Sequence, residues 1–99
     1  MSKGGYAFNR ADQTQPVIVQ SFEKAGWTVL DTHRVGGGAP DLFVAKRGVT
    51  IAVEAKTGKR KRRDNQIAWA NDWNGLYLWG SDPLVLLEQA EAMLWGERR

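Results

Sequence analysis

Apolar positions along the chain follow two periods, helical and alternating. Ile18, Phe22 and Ala25 recur at helical spacing with Val17 beside them. They predict a helix that starts near Asp12–Pro16, with Pro16 in its first turn, where a missing N–H costs nothing, and ends at Gly26. Trp27–His33 reads as a strand, with Trp27, Val29 and Asp31 alternating with Thr28, Leu30 and Thr32. Asp41–Ala45 and Thr50–Ala55 are two more strand-like runs, rich in branched and aromatic residues and joined by Lys46–Val49 with a turn glycine, Gly48. Asp64 is placed as the N-cap of a second helix reaching about Trp73, where Trp69 and Trp73 stand one turn apart and Ile67 with Ala70 forms a neighbouring apolar strip. Asn74-Gly75 closes that helix, Leu76–Trp79 is a short strand, Gly80–Pro83 a turn and Leu84–Trp95 an amphipathic helix.

The predicted order is helix, three strands, helix, strand, helix. The first three strands are near enough in sequence to form a meander. A helical crossover to the fourth makes the last two parallel and right-handed. The fold class is α/β, a mixed sheet of about four strands flanked by helices. One domain spans residues 12–99 behind a polar lead-in, 1–11, whose Tyr6 and Phe8 are placed to dock on the body. Gly36-Gly37-Gly38 lacks the Gly-Lys-Ser/Thr of a nucleotide loop, so these glycines are expected to turn tightly or meet another backbone closely. Pro40 suits the start of a strand at a sheet edge.

The central hairpin carries the chemistry. A two- or four-residue loop pairs Asp41 directly with Glu54, whereas a three-residue loop with a bulge at Gly48 offsets them by one. In the first register Asp41, Phe43 and Ala45 share a face with Ala52, Glu54 and Lys56, while Leu42, Val44, Ile51, Val53 and Ala55 take the other. Facing residues have Cβ atoms roughly 5 Å apart, and like charges there repel. Something positive must lie between the carboxylates: Lys56 is one candidate and a divalent cation the other. A surface hairpin with a solvated charge cluster is the plain alternative.

Composition narrows the classes. The chain has 99 residues, 42% hydrophobic and 25% charged, as expected of one globular domain. With no cysteine and one histidine, His33, disulfides, thiolate metal sites and a His cluster for zinc are excluded. No apolar run approaches the roughly 20 residues of a membrane span, and the start of the chain lacks the apolar core of a signal peptide. A soluble intracellular, cytoplasmic protein is expected. Net charge is only +3, yet Lys59, Arg60, Lys61, Arg62 and Arg63 are consecutive, which points to a polyanionic partner.

Phosphodiester hydrolysis needs a Lewis acid, an activated water and stabilisation of phosphate charge. Asp41, Glu54 and the Ala55 carbonyl offer oxygen ligands for Mg²⁺ or Mn²⁺. Lys56 would orient or deprotonate the water or steady the transition state, and Lys59–Arg63 would hold the phosphate backbone. Pro40-Asp41 followed by Glu54-Ala55-Lys56 resembles the signature of the PD-(D/E)XK nuclease superfamily. The resemblance is nearest to the VRR-NUC family in its small stand-alone phage and bacterial form. It runs through Asp12 and Gln15, Gly36–Gly38, Pro40-Asp41, Glu54-Ala55-Lys56, Lys59–Arg63 and Gln66 in that order, over roughly residues 12–80.

The resemblance implies a restriction-endonuclease-like core and a Mg²⁺- or Mn²⁺-dependent deoxyribonuclease, often acting on branched DNA such as four-way junctions or flaps, and commonly homodimeric. Asp41 and Glu54 become metal ligands, Lys56 the catalytic lysine, Gln66 a site-orienting residue, and Asp12 and Gln15 supporting residues. One departure is Arg63, which stands where the family often caps the second helix with Thr. The plain alternatives are a helix cap for Asp12, an exposed first-turn residue for Gln66 and a surface or core role for His33. The five tryptophans are assigned to core or interface rather than to base stacking. Rival functions are a non-catalytic nucleic-acid-binding module on the same fold, and a protein-interaction domain. Facing carboxylates beside bound phosphate would repel it without a metal, which disfavours the former.

Overall fold

A computed structural model describes residues 11–56 and 62–97. The elements are α1 (Ala11–Lys24), β1 (Thr28–Asp31), β2 (Leu42–Lys46), β3 (Val49–Ala55), α2 (Asp64–Asp72), β4 (Leu76–Gly80) and α3 (Pro83–Glu97). They form an α/β fold whose single four-stranded sheet has the order β1-β2-β3-β4. β1, β2 and β3 make an antiparallel meander, and β4 joins β3 in parallel after the α2 crossover. The expected element order and mixed sheet are both present. No helix among the described residues is long and apolar enough to cross a membrane.

The β2–β3 register follows from a two-residue turn. Lys46 pairs with Val49 and Leu42 with Val53, leaving Arg47 and Gly48 as the loop. Both have positive φ, 53° and 84°, the requirement of a type I′ turn, whose twist matches that of the flanking strands. There is no bulge, so each side chain keeps the face expected of it. Leu42, Val44, Ile51 and Val53 are fully buried and meet Ile18 and Phe22 of α1, Leu78 of β4, and Leu86, Ala90 and Leu94 of α3. Both α1 and α3 therefore lie on one side of the sheet, and α2 lies on the other.

Local signals set the helix ends. Trp27 N–H bonds the Phe22 carbonyl and Gly26 N–H that of Glu23, each at 3.0 Å, with Gly26 at φ 91°. This is a Schellman motif, and its hydrophobic contact is Trp27 edge-on to Phe22, ring centroids 5.5 Å apart. At the start of α3, Pro83 takes the first helical position while Asp82 Oδ1 accepts the Leu84 N–H at 2.9 Å.

Four expectations are corrected. Pro16 lies inside α1, beyond its first turn, where the Asp12 carbonyl loses its helical donor. β2 is interior, and Pro40 precedes it rather than marking an edge strand. Arg63, not Asp64, is the N-cap of α2, and Asp64 is its first helical residue, where a carboxylate complements the helix dipole. Ile67 is exposed, because the inward face of α2 is Gln66, Trp69, Ala70 and Trp73. Trp69 and Trp73 stack at 5.2 Å and both meet Phe43 edge-on; Trp69 also lies 6.5 Å from the Tyr77 ring. This aromatic layer covers the sheet face that carries the carboxylates. Residues 1–10, and with them Tyr6, Phe8 and most of the polar lead-in, lie outside the described residues.

Candidate functional site

Asp41 immediately precedes β2, and Glu54 is the penultimate residue of β3. The register that pairs Leu42 with Val53 brings their side chains together at the end of the two central strands. Asp41 Oδ2 accepts the Ala55 N–H at 2.8 Å, which pins that carboxylate across the end of β3. Glu54 is only 4% exposed, the one charged side chain buried among the described residues. Its Oε2 accepts from Gln66 Nε2 at 2.6 Å, while its Oε1 is buried without a donor.

Gln66 is aimed by the start of α2. Its Oε1 accepts the Arg63 N–H at 2.7 Å, the reciprocal half of a capping box, which leaves its amide NH₂ for Glu54. Because Arg63 supplies only its backbone N–H to this bond, the Arg in place of Thr leaves the aim of Gln66 intact. The helix start is set by Gly38, which is buried at φ 84°. A Cβ built there would lie 2.2 Å from the Asn65 carbonyl oxygen, so only glycine lets the turn meet α2 backbone to backbone. Of the three glycines, Gly36 and Gly37 serve the turn alone, at positive φ with open space around them.

Burial and mutual repulsion dominate the electrostatics. Loss of water raises the Glu54 carboxyl to about 8, with the Asp41 charge the next cause, while Arg63 and Arg62 oppose the rise. Asp41 is also raised, by burial first, against the lowering effect of the Ala55 N–H. Two acceptor-only carboxylates cannot satisfy each other; they need a shared proton or a cation.

Lys56 is not that cation. Its Nζ lies over the Trp79 ring, 5.5 Å from the centroid, and neither carboxylate is ion-paired among the described residues. Of the two candidates for the positive group between the carboxylates, Lys56 is therefore set aside: it shares their face of the sheet, but the indole of β4 holds its ammonium. Arg62 is on the same indole at 4.5 Å and over Tyr77 at 5.9 Å. Arg63 is exposed at the head of α2. Lys59, Arg60 and Lys61 lie outside the described residues, as does the side chain of Asp12.

Gln15 is elsewhere. It approaches His33 Nδ1 at 3.4 Å, and His33 bonds Asp31 Oδ1 through its Nδ1 at 2.6 Å and its backbone N–H at 3.0 Å. The His33 hydrogen bond lowers the Asp31 carboxyl below its ordinary value. This exposed Gln15–His33–Asp31 cluster touches the carboxylate pair only through space, as weak charge effects on Asp41. The residue that sequence reasoning missed is Trp79. Its registration with Glu54 across the parallel β3–β4 pair is the signal that would have found it.

The donor set suits a hard divalent cation. Asp41 and Glu54 offer oxygens, one of them buried without a partner, and the Ala55 carbonyl stands at the same strand end. No group of three or more His, Cys, Asp or Glu side chains with metal-binding geometry occurs among the described residues. Water or substrate oxygens would have to complete an octahedral shell. Comparison of the chain with protein-family models, curated proteins and solved structures yields no match.

Proposed function

We propose that the chain is a metal-dependent nuclease that hydrolyses DNA phosphodiester bonds, built on a restriction-endonuclease-like core of the VRR-NUC type. The observation that carries this reading is the Asp41–Glu54 pair. Glu54 is buried and Asp41 half-buried, neither has a cationic partner among the described residues, and Glu54 Oε1 is left without a donor, on the face where Lys56 and Arg62 gather. A pair built only for stability would be replaced favourably by apolar residues. A pair that must hold a cation beside a polyanion cannot be.

Asp41 and Glu54 would hold Mg²⁺ or Mn²⁺, with the Ala55 carbonyl as a further ligand. When bound, the ion supplies Lewis acidity and a water of lowered pKa. Gln66 fixes the orientation of the Glu54 carboxylate, and the Ala55 N–H does so for Asp41. Lys56 places positive charge beside the reacting phosphate and orients the attacking water. Arg62 and Arg63, with Lys59, Arg60 and Lys61, grip the flanking backbone. We place the activity on branched DNA in the cytoplasm of a bacterium or a phage-infected host, with two copies of the chain acting as a homodimer.

Single-stranded, duplex, flapped and four-way-junction DNA incubated with Mg²⁺ or with EDTA tests the reading. Cleavage should require the ion and vanish in Asp41→Asn, while DNA binding in EDTA persists or tightens. Lys56→Ala should lose turnover yet retain Mn²⁺ in calorimetric titration. Binding without cleavage of any of the four substrates would instead make the chain a non-catalytic nucleic-acid module.

A further inference from the structure

Trp79 stands apart from the other aromatics on this face of the sheet. Trp69, Trp73, Phe43 and Tyr77 pack on one another under α2, whereas Trp79 is 38% exposed on an otherwise partly or fully buried edge strand. The core has no use for its indole. Its neighbour across the parallel pair is Glu54, so the ring rises beside the carboxylates. Two cations from separate segments meet on it, Lys56 Nζ at 5.5 Å and the Arg62 guanidinium at 4.5 Å from the centroid. Like charges do not gather on one small surface unless something attracts both, and the negative face of an indole does so.

We propose that Trp79 is a positioning residue: its indole holds Lys56 and Arg62 together at the rim of the Asp41–Glu54 pair, so that an incoming phosphodiester meets two cations already in place. The proposal rests on the phosphodiester-cleaving reading of that pair. A guanidinium lying on a ring keeps its N–H edge free in its own plane, the edge that binds phosphate in bidentate fashion. An ammonium on a four-carbon stem gains more, because it otherwise samples many rotamers.

The test compares Trp79→Leu, which removes the π face, with Trp79→Phe, which retains one; circular dichroism confirms that each is folded. Proton NMR of the wild type should show the Lys56 ε-methylene and Arg62 δ-methylene shifted upfield by the ring. The shift should persist in Trp79→Phe and disappear in Trp79→Leu. In EDTA, affinity for a short single-stranded oligonucleotide should fall about tenfold in Trp79→Leu. Arg62→Ala combined with Trp79→Leu should cost less than the sum of the two single losses, because both remove the same placed guanidinium. With Mg²⁺, Trp79→Leu should lower kcat while Mn²⁺ binding is unchanged. Absence of ring-shifted methylenes, additive losses in the double variant, or a wild type with no affinity for the oligonucleotide would each overturn the proposal. Failure of the wild type to cleave any DNA would refute the nuclease reading instead, and the NMR and binding cycle would still decide the role of Trp79.

Discussion

Replacing Glu54 with Gln should stabilise the metal-free protein in alkaline solution while removing its proposed activity. Glu54 is buried and its carboxyl is raised from an ordinary 4.5 to about 8. The folded chain thus binds this proton more tightly than the unfolded chain. Between pH 4.5 and about 8 the unfolded state carries fewer protons, and stability falls as pH rises. The benefit of the protonated carboxyl is complete below pH 4.5 and lost above about 8. Each pH unit of that window is worth about 1.36 kcal/mol, so the full loss is about 5 kcal/mol, and relaxation around the pair reduces it to about 2–5 kcal/mol. The substituted amide is neutral at every pH, still accepts from Gln66 and offers its NH₂ to Asp41.

The assay is thermal melting of both proteins in EDTA from pH 4.5 to 9. For a domain of this size 1 kcal/mol moves Tm by about 4–8 °C. The variant should melt at least about 8 °C above the wild type at pH 9 and within a few degrees of it at pH 4.5. Adding Mn²⁺ at pH 8 should raise the wild-type Tm and leave the variant unmoved, since the ion replaces the proton that the pair requires. Parallel melting curves across the whole pH range would refute the reasoning, because they would mean that Glu54 ionises in the folded state without penalty.

Three further outcomes are expected, the last of them from the proposed homodimer. Gly38→Ala should destabilise the fold by more than about 2 kcal/mol and lift α2 from the sheet, whereas Gly36→Ala meets open space and costs only the strain of positive φ, about 1–2 kcal/mol; urea denaturation of the two separates them. Lys46→Met should cost about 1–2 kcal/mol in the same assay, because Lys46 donates to the Ala25 carbonyl at 2.8 Å and pairs with Glu91 at 3.2 Å, both partly buried. Light scattering at micromolar concentration should report about twice the 11.1 kDa chain mass, with exposed Trp95 and Leu84 of α3 the first residues to substitute if it does.

What the sequence discloses is whatever local chemistry decides. A two-residue loop with glycine at its second position determines its own twist, and the hairpin register follows from it, so the facing of Asp41 and Glu54 is readable from residue numbers. Gly26 announces the end of α1 in the same way. The misses are contacts between distant segments. Hydrophobic spacing puts Ile67 inward, yet the inward face of α2 includes the polar Gln66 because a buried carboxylate waits opposite it. Proximity along the strand assigns Lys56 to the carboxylates, but its long side chain finds the indole of a strand that arrives twenty-odd residues later. Of the five tryptophans assigned to core or interface, Trp27 is buried and Trp69 and Trp73 stack under α2, while Trp79 and Trp95 stay exposed.

The sheet is supported unequally on its two faces, and the site straddles the difference. Asp41 and Glu54 stand on strands sealed by α1 and α3, whose core side chains are fully buried. Gln66 belongs to α2, a helix of nine residues with none fully buried, held by an aromatic layer and the Gly38 turn. Helices this short have little stability of their own. Backbone amides of β2 and β3 should therefore exchange with solvent only when the whole domain unfolds, and those of α2 through cheaper local openings. Each such opening withdraws the Gln66 amide and leaves the Glu54 carboxylate without its donor. The lifetime of an intact site is thus set by how long α2 stays docked, and not by the stability of the fold as a whole.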